Sequence, residues 1–173
     1  MIKLILNSHG IDKSGLVNKI SGIVYSLNGN ILESKMVRLE NIFSIIMAIE
    51  IHENNKLELK NKINSITSLN STIKTLDEFN LNENDIKYVF TLECLDNEGI
   101  INHFTNYFNE NNINIEEMNT TITYAPTTGS LIFNLDSIIA VPKKIKFEKL
   151  DIKLDLLSEK FNVNYNLLLL KSK

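Results

Sequence analysis

The chain repeats itself. Asp12-Lys13-Ser14-Gly15-Leu16-Val17-Asn18 returns as Asp96-Asn97-Glu98-Gly99-Ile100-Ile101-Asn102, and the register continues without a gap at an offset of 84 residues. Ile20 falls on Phe104, Val24 on Phe108, Asn28 on Asn112, Asn30 on Asn114, Ile31 on Ile115 and Glu33 on Glu117. Apolar and polar positions recur together, and a period this long marks a duplicated domain, because solenoid repeats are shorter.

The offset is close to half of the 173 residues, which points to two small domains. A domain of ~85 residues buries only about 60 to 65% of the surface its unfolded chain exposes. The halves are therefore expected to dock on each other or on a second chain, and a homodimer is the default expectation. The connection from Asp77 to Asp85 is rich in Asn and acidic residues. The expected division is domain one at 1–78, a linker at 79–86 and domain two at 87–173.

A hydrophobic share of 43% and a charged share of 23% describe an ordinary globular chain. The run from Met1 to Leu6 meets Asn7 too soon for a signal peptide, and no apolar stretch approaches the ~18 residues of a membrane helix. Cytosolic residence without membrane contact is the expectation. A net charge of -3 and a pI near 5.7 argue against direct binding of nucleic acid, whose affinity comes from neutralised phosphates. The single cysteine, Cys94, sits in an apolar alternation and reads as a buried thiol. No cofactor is expected.

In the first half, Ile2 to Ser8 reads as a strand. Ser14 then serves as a helix N-cap ahead of the stripe Leu16, Ile20, Ile23 and Leu27. Asn28-Gly29 stops that helix, with Gly29 suited to the left-handed cap position, and Asn30 to Leu39 reads as a strand. After a hairpin at Glu40-Asn41, Phe43, Ile45, Met47, Ile49 and Ile51 alternate as one buried strand face. A second helix is expected from Asn55 to Leu69 and a strand from Thr72 to Leu76. The second half gives the same six elements: Lys87 to Leu95, a helix from Asn97 to Asn111, Ile113 to Thr123, Leu131 to Val141 after a turn at Pro126 to Gly129, a helix from Ile145 to Phe161, and Asn164 to Leu170. The order predicts an α+β chain of two ferredoxin-like βαββαβ domains in tandem.

With that unit in hand, Gly10-Ile11-Asp12-Lys13-Ser14-Gly15 and Asn28-Gly29-Asn30-Ile31-Leu32-Glu33 resemble the loop and second-strand start of ACT domains. Asn97 to Phe108, followed by Asn112 to Glu117, resembles the second domain of two-domain members of that family. The resemblance implies regulatory modules that bind small amino acids, glycine or serine here. Members built from two such domains imply a transcriptional repressor that works on a DNA-bound activator protein rather than on DNA. The family's proline before the loop glycine is replaced by Ser14 in one copy and Glu98 in the other. Ser14 would cap the helix start, and Glu98 would lie in the first turn and favour the helix dipole.

The physical case for a site at residues 9 to 15 is a helix N-terminus whose backbone N–H groups suit an α-carboxylate, with Gly15 permitting close approach. Asp12 would receive the ammonium group, and the resemblance adds Asn30 as an amide contact. The candidate ligand residues are His9, Asp12, Ser14, Gly15 and Asn30, with Asp96, Gly99 and Asn114 in the second copy. The alternative is that Asp12 and Gly15 only shape a turn and begin a helix. Glu98 beside a helix start would repel a carboxylate, which favours the first copy.

No catalytic residue is expected. Ser8, His9 and Asp12 lie too close along one chain segment for a triad, since strand neighbours point to opposite faces. His9, His52 and His103 lie far apart without partners at ligand spacing, so no metal site is expected. Phe104, Tyr107 and Phe108 repeat the spacing of core residues and read as core, with His103 on the helix surface. The leading expectation is a non-enzymatic, amino-acid-responsive regulator. Its alternative is an orphan ACT regulatory subunit giving feedback control to a metabolic enzyme. An enzyme such as a formyltetrahydrofolate deformylase, with its ACT-like N-terminal region, is not expected, because no catalytic domain remains after the second repeat.

Overall fold

The computed structural model describes residues 1–76, 85–95 and 98–170. The chain divides into two compact units, Met1–Asn80 and Leu81–Lys173. Residues 79–84 of the expected linker, with Asp96 and Asn97, lie outside the described residues.

The first unit runs β1 (Ile2–Ile11), α1 (Leu16–Ser26), β2 (Asn30–Leu39), β3 (Ile42–Ile51), a 3-10 turn (Glu53–Asn55), α2 (Lys56–Asn64) and β4 (Leu69–Thr75). Its sheet has the order β2-β3-β1-β4, with every neighbouring pair antiparallel. The second unit runs β5 (Ile86–Leu95), α3 (Ile100–Glu110), β6 (Asn114–Tyr124), β7 (Leu131–Val141), α4 (Phe147–Phe161) and β8 (Asn164–Leu169), in the order β6-β7-β5-β8. This is the α+β, twofold βαββαβ architecture expected from the repeat. Parallel placement of β1 and β2 follows from both pairing antiparallel with β3, and it fixes where the ends of α1 lie.

Each core sits between the helix pair and one sheet face. In the first unit, Phe43, Ile45, Met47, Ile49 and Ile51 of β3 bury their side chains against Leu16, Ile20 and Val24 of α1 and Leu59 and Ile63 of α2. In the second, Phe90 of β5 packs among Phe104 and Phe108 of α3 and Leu150 and Leu154 of α4. Tyr107 packs partly buried beside them, so the aromatic stripe of α3 is core. Cys94 is buried on the same face of β5. The only fully enclosed polar side chains among the described residues are serines with partners: Ser8 Oγ lies 2.8 Å from Ser71 Oγ, and Ser137 Oγ donates to the Phe90 carbonyl at 3.0 Å.

The repeat is preserved in backbone irregularities as well as in the core. Gly15 and Gly99 both precede a helix with φ of 89° and 84°, Asn28 and Asn112 both follow one with φ of 52° and 55°, and both second strands shift register at the same point, Ile31/Glu33 and Ile115/Glu117. Asn28, not Gly29, therefore takes the left-handed position after α1. Asparagine tolerates that region, and Gly29 is required for another reason: a Cβ there would stand 2.9 Å from Val24 Cγ1.

Several element bounds differ from the sequence reading: β4 runs Leu69–Thr75 where Thr72 to Leu76 was expected, α4 begins at Phe147 rather than Ile145, and two further differences have clear causes. β1 continues past Ser8 to Ile11, because its pairing with β3 runs to Ile11 opposite Ile42 and its pairing with β4 to Gly10 opposite Leu69. α2 ends at Asn64, not Leu69. The apolar spacing of Ile63, Ile66 and Leu69 continues across the turn because all three reach the same core, which imitates a longer helix.

Tyr165 of β8 holds α4 in place: its hydroxyl lies 2.8 Å from Asp151 Oδ1 and 2.8 Å from Asp155 Oδ1. Burial first, then the hydrogen bonds and negative charges of these carboxylates, push the phenol well above its ordinary range. A pKa raised in the folded state contributes stability that is complete below the unfolded value of about 10 and is lost as pH rises beyond it. The parent is expected to lose stability between about pH 10 and 11 more steeply than Tyr165→Phe. Parallel urea titrations at the two pH values test this; identical losses would refute it.

Candidate functional site

The β1–α1 loop is built by three constraints. The Asp12 backbone N–H donates to the Asn41 carbonyl at 2.8 Å, tying the end of β1 to the β2–β3 hairpin turn. Gly15 then reverses the chain in the left-handed region, where a side chain is strained, and its carbonyl accepts from Lys19 at 2.9 Å to open α1. No side chain caps the helix and no acid occupies its first turn. The expected N-cap role of Ser14 does not hold, because the position belongs to Gly15, and Ser14 is left exposed beside the loop. The second copy behaves alike: Gly99 is the N-cap of α3, and Glu98 precedes it, outside the first turn where the sequence reading had put it.

The loop faces a cavity of about 530 Å³, lined by Asp12, Ser14 and Gly15 together with Asn18, Met36 and Phe43 among others. That volume lies in the range of small-molecule sites, and free glycine would fill only a part of it. Helix N–H groups without an intrahelical acceptor lie at the loop end of α1 and bring partial positive charge. Arg38, near the end of β2, adds a full charge: its Nε lies 3.5 Å from Asp12 Oδ2 and donates to the Glu40 carbonyl at 3.0 Å. The site therefore sets a carboxylate and a guanidinium side by side at a helix N-terminus. A zwitterion matches this, its carboxylate toward Arg38 and the helix, its ammonium toward Asp12.

Arg38 escaped the sequence reading, although a signal existed. It is the only arginine in a chain that otherwise uses lysine for its basic residues, and only arginine offers a planar fork for a carboxylate. The second unit has no counterpart, since the residue opposite Phe133 on β6 is Ile122, where Arg38 stands opposite Phe43.

Other expected site residues lie elsewhere. His9 is a β1 residue, exposed on the sheet face opposite to that of Ser8, while the cavity opens on the helix side, where Leu16 and Phe43 line it. Asn30 begins β2 opposite Glu50, which pairs with Lys3 at the start of β1. Nine residues of strand separate Lys3 from Asp12, about 30 Å at ~3.3 Å per residue, so Asn30 takes no part in this cavity within one copy. Asn114 is placed in the same way on β6, opposite Ala140, which pairs with Lys87. Gly99 occupies the loop position in the second copy, and Asp96 lies outside the described residues. The other histidines have local roles: His52 Nδ1 accepts from the Asn54 N–H at 3.4 Å, and the exposed His103 ring stacks on Phe161 at 4.1 Å.

A four-stranded antiparallel sheet backed by two helices, with a glycine-hinged loop entering the first helix, defines the class. Residues 3–73 match the family model of the ACT domain, and the second unit repeats the same fold, which makes the chain a tandem ACT-like protein. A crystal structure of an unknown protein from Galdieria sulphuraria superposes with a TM-score of 0.89 at 20% identity, over 98% of this chain and 99% of that one. The crystal structure of a candidate glycine cleavage system transcriptional repressor superposes with a TM-score of 0.74 at 17% identity, over 99% of this chain and 98% of the other. At these identities the likeness is one of fold. No curated protein matches the chain by sequence.

Proposed function

We propose that the protein is a non-enzymatic, amino-acid-responsive regulator in the cytoplasm, which represses the glycine cleavage system through a DNA-bound activator protein. The observation that carries this reading is the uncapped N-terminus of α1, opening on a cavity lined by Asp12, whose carboxylate is paired at 3.5 Å with the exposed Arg38 guanidinium. ACT domains generally bind amino acids, and the full-length likeness in fold to the glycine cleavage repressor supports the specific role. Exposed Ile11, Val37, Leu39 and Ile42 on the first sheet's uncovered face support a homodimer.

Calorimetric titration with glycine, serine and a panel of other amino acids tests the reading. Saturable binding is expected, abolished in Asp12→Ala and weakened in Arg38→Ala by tenfold or more, as loss of a charged hydrogen-bond partner costs about 1.5 to 3 kcal/mol. Bound amino acid would then change affinity for the activator by a coupling of about 1 to 3 kcal/mol. Absence of binding by every amino acid would overturn the reading. Recovery of a biosynthetic enzyme as the binding partner would favour an orphan feedback subunit.

A further inference from the structure

The second unit carries a groove of about 810 Å³ between α3 and α4, remote in sequence from the loop of the first. Its apolar lining comes from Ile145 and Leu157, half-buried, and from Ile152 and Leu156, which are 59% and 52% exposed. Lys144, Lys149, Lys153 and Lys160 stand along the same groove, against a single lining carboxylate, Glu110. Lys160 lies over the Phe161 ring, and Lys144, Lys149 and Lys153 have no ion pair among the described residues. Two lysines elsewhere are ion-paired, Lys62 with Glu58 at 3.0 Å and Lys87 with Glu116 at 2.7 Å.

The charge pattern of α4 accounts for this. Residues three or four apart are neighbours on a helix, and opposite charges placed there stabilise it. Between Lys146 and Lys160 no opposite charges stand at either spacing; Lys149 is followed by Lys153, and Asp151 by Asp155, as like pairs. Like charges at that spacing destabilise a helix. The acids Asp151 and Asp155 are gathered at the Tyr165 hydroxyl, and the lysines are gathered at the groove. Such segregation, in a chain of net charge -3, leaves a positive, apolar-lined channel with the one carboxylate of Glu110 against four lysines.

We infer that this groove docks an acidic amphipathic helix of a partner protein. Lys149, Lys153 and Lys160 run along most of α4, whose 15 residues span about 22 Å at ~1.5 Å per residue, and Lys144 stands just before its start, so their charge is spread lengthwise as a helix would spread its acids. The apolar lining asks for an apolar stripe on the same occupant. A bare phosphate backbone provides no such stripe, and a bilayer surface does not enter a concave channel. This docking extends the reading of a regulator that acts through a protein, but makes no use of the amino-acid site.

The test is fluorescence anisotropy of the full chain with a labelled synthetic helix of about 15 residues, glutamates on one side of a leucine stripe, against a scrambled peptide of the same composition. Vesicles containing phosphatidylglycerol and a DNA duplex are the comparison probes. The patterned peptide is expected to bind about tenfold tighter than its scramble, to weaken as salt rises, and to lose about tenfold in Lys149→Glu/Lys153→Glu. Lys149→Ala/Lys153→Ala, which only removes a like-charge pair, should lose affinity while melting no lower than the parent. Equal binding of patterned and scrambled peptides, affinity unmoved by the lysine changes, or preferential binding to vesicles or DNA would each overturn the inference. No amino acid is present in this assay, so its failure leaves the ligand site of the first unit standing.

Discussion

Phe90→Ala is expected to destabilise the second unit by about 3 to 5 kcal/mol, close to all the stability a domain of this size has. Phe90 is wholly buried in the middle strand pair of its sheet, with Phe104 at 5.6 Å between ring centroids, Phe108 edge-on at 5.3 Å and Tyr165 at 6.2 Å. Its ring thus joins α3, β5 and β8, and alanine would leave a cavity bordered by stiff aromatic neighbours that cannot collapse into it. Phe90→Leu keeps most of the burial and gives up mainly the aromatic geometry, about 0.5 to 1.5 kcal/mol per pair. Amide exchange reads the outcome: β5 to β8 should lose protection while β1 to β4, whose core is a separate cluster, retain theirs. Full protection of β5 in the alanine variant would show that the ring is dispensable.

The second large effect is expected from a change of one methyl group. Gly10 pairs with Phe43 on one side and Leu69 on the other, and a Cβ added there would run into the Ser68 backbone carbonyl oxygen and press on Leu69 Cδ2 at 3.1 Å. A carbonyl held in the chain cannot rotate aside, so Gly10→Ala must push β4 away from β1, costing about 1 to 3 kcal/mol or more. Gly15→Ala presents a contrast. A Cβ there meets nothing within 4 Å, and its cost is the positive φ alone, about 1 to 2 kcal/mol. Urea midpoints of the two variants compare the causes: Gly10→Ala should fall further, and it should also displace Asp12, two residues on, weakening any amino-acid binding. A Gly10→Ala midpoint equal to the parent's would refute the clash.

Much of this was legible in the residues. The alternation from Phe43 to Ile51 and the stripes beginning at Leu16 and Leu150 identify their elements because burial on one face demands a period. Gly15 and Gly99 are legible as loop residues, and the structure adds a role beside the expected close approach of a ligand. They supply a backbone conformation and themselves occupy the cap position given to Ser14, and nothing crowds them. Asn30 was placed at the site by its resemblance alone, although topology argues otherwise: a strand that follows α1 and runs parallel to β1 must begin at the far end of the sheet from the β1–α1 loop.

The sequence by itself determined the duplication, the order of elements and the core faces, because these depend on period and on residue type over short stretches. It also contained, unread, the solitary arginine and the like-charge pairs of α4. Only the tertiary structure decided which residues meet: Arg38 beside Asp12 across the hairpin, His9 turned to the other side of the sheet, and the lysines of α4 facing α3 over an apolar groove. Such meetings depend on register and on the direction of neighbouring strands, which join residues far apart in the chain, and local patterns carry no record of that distance.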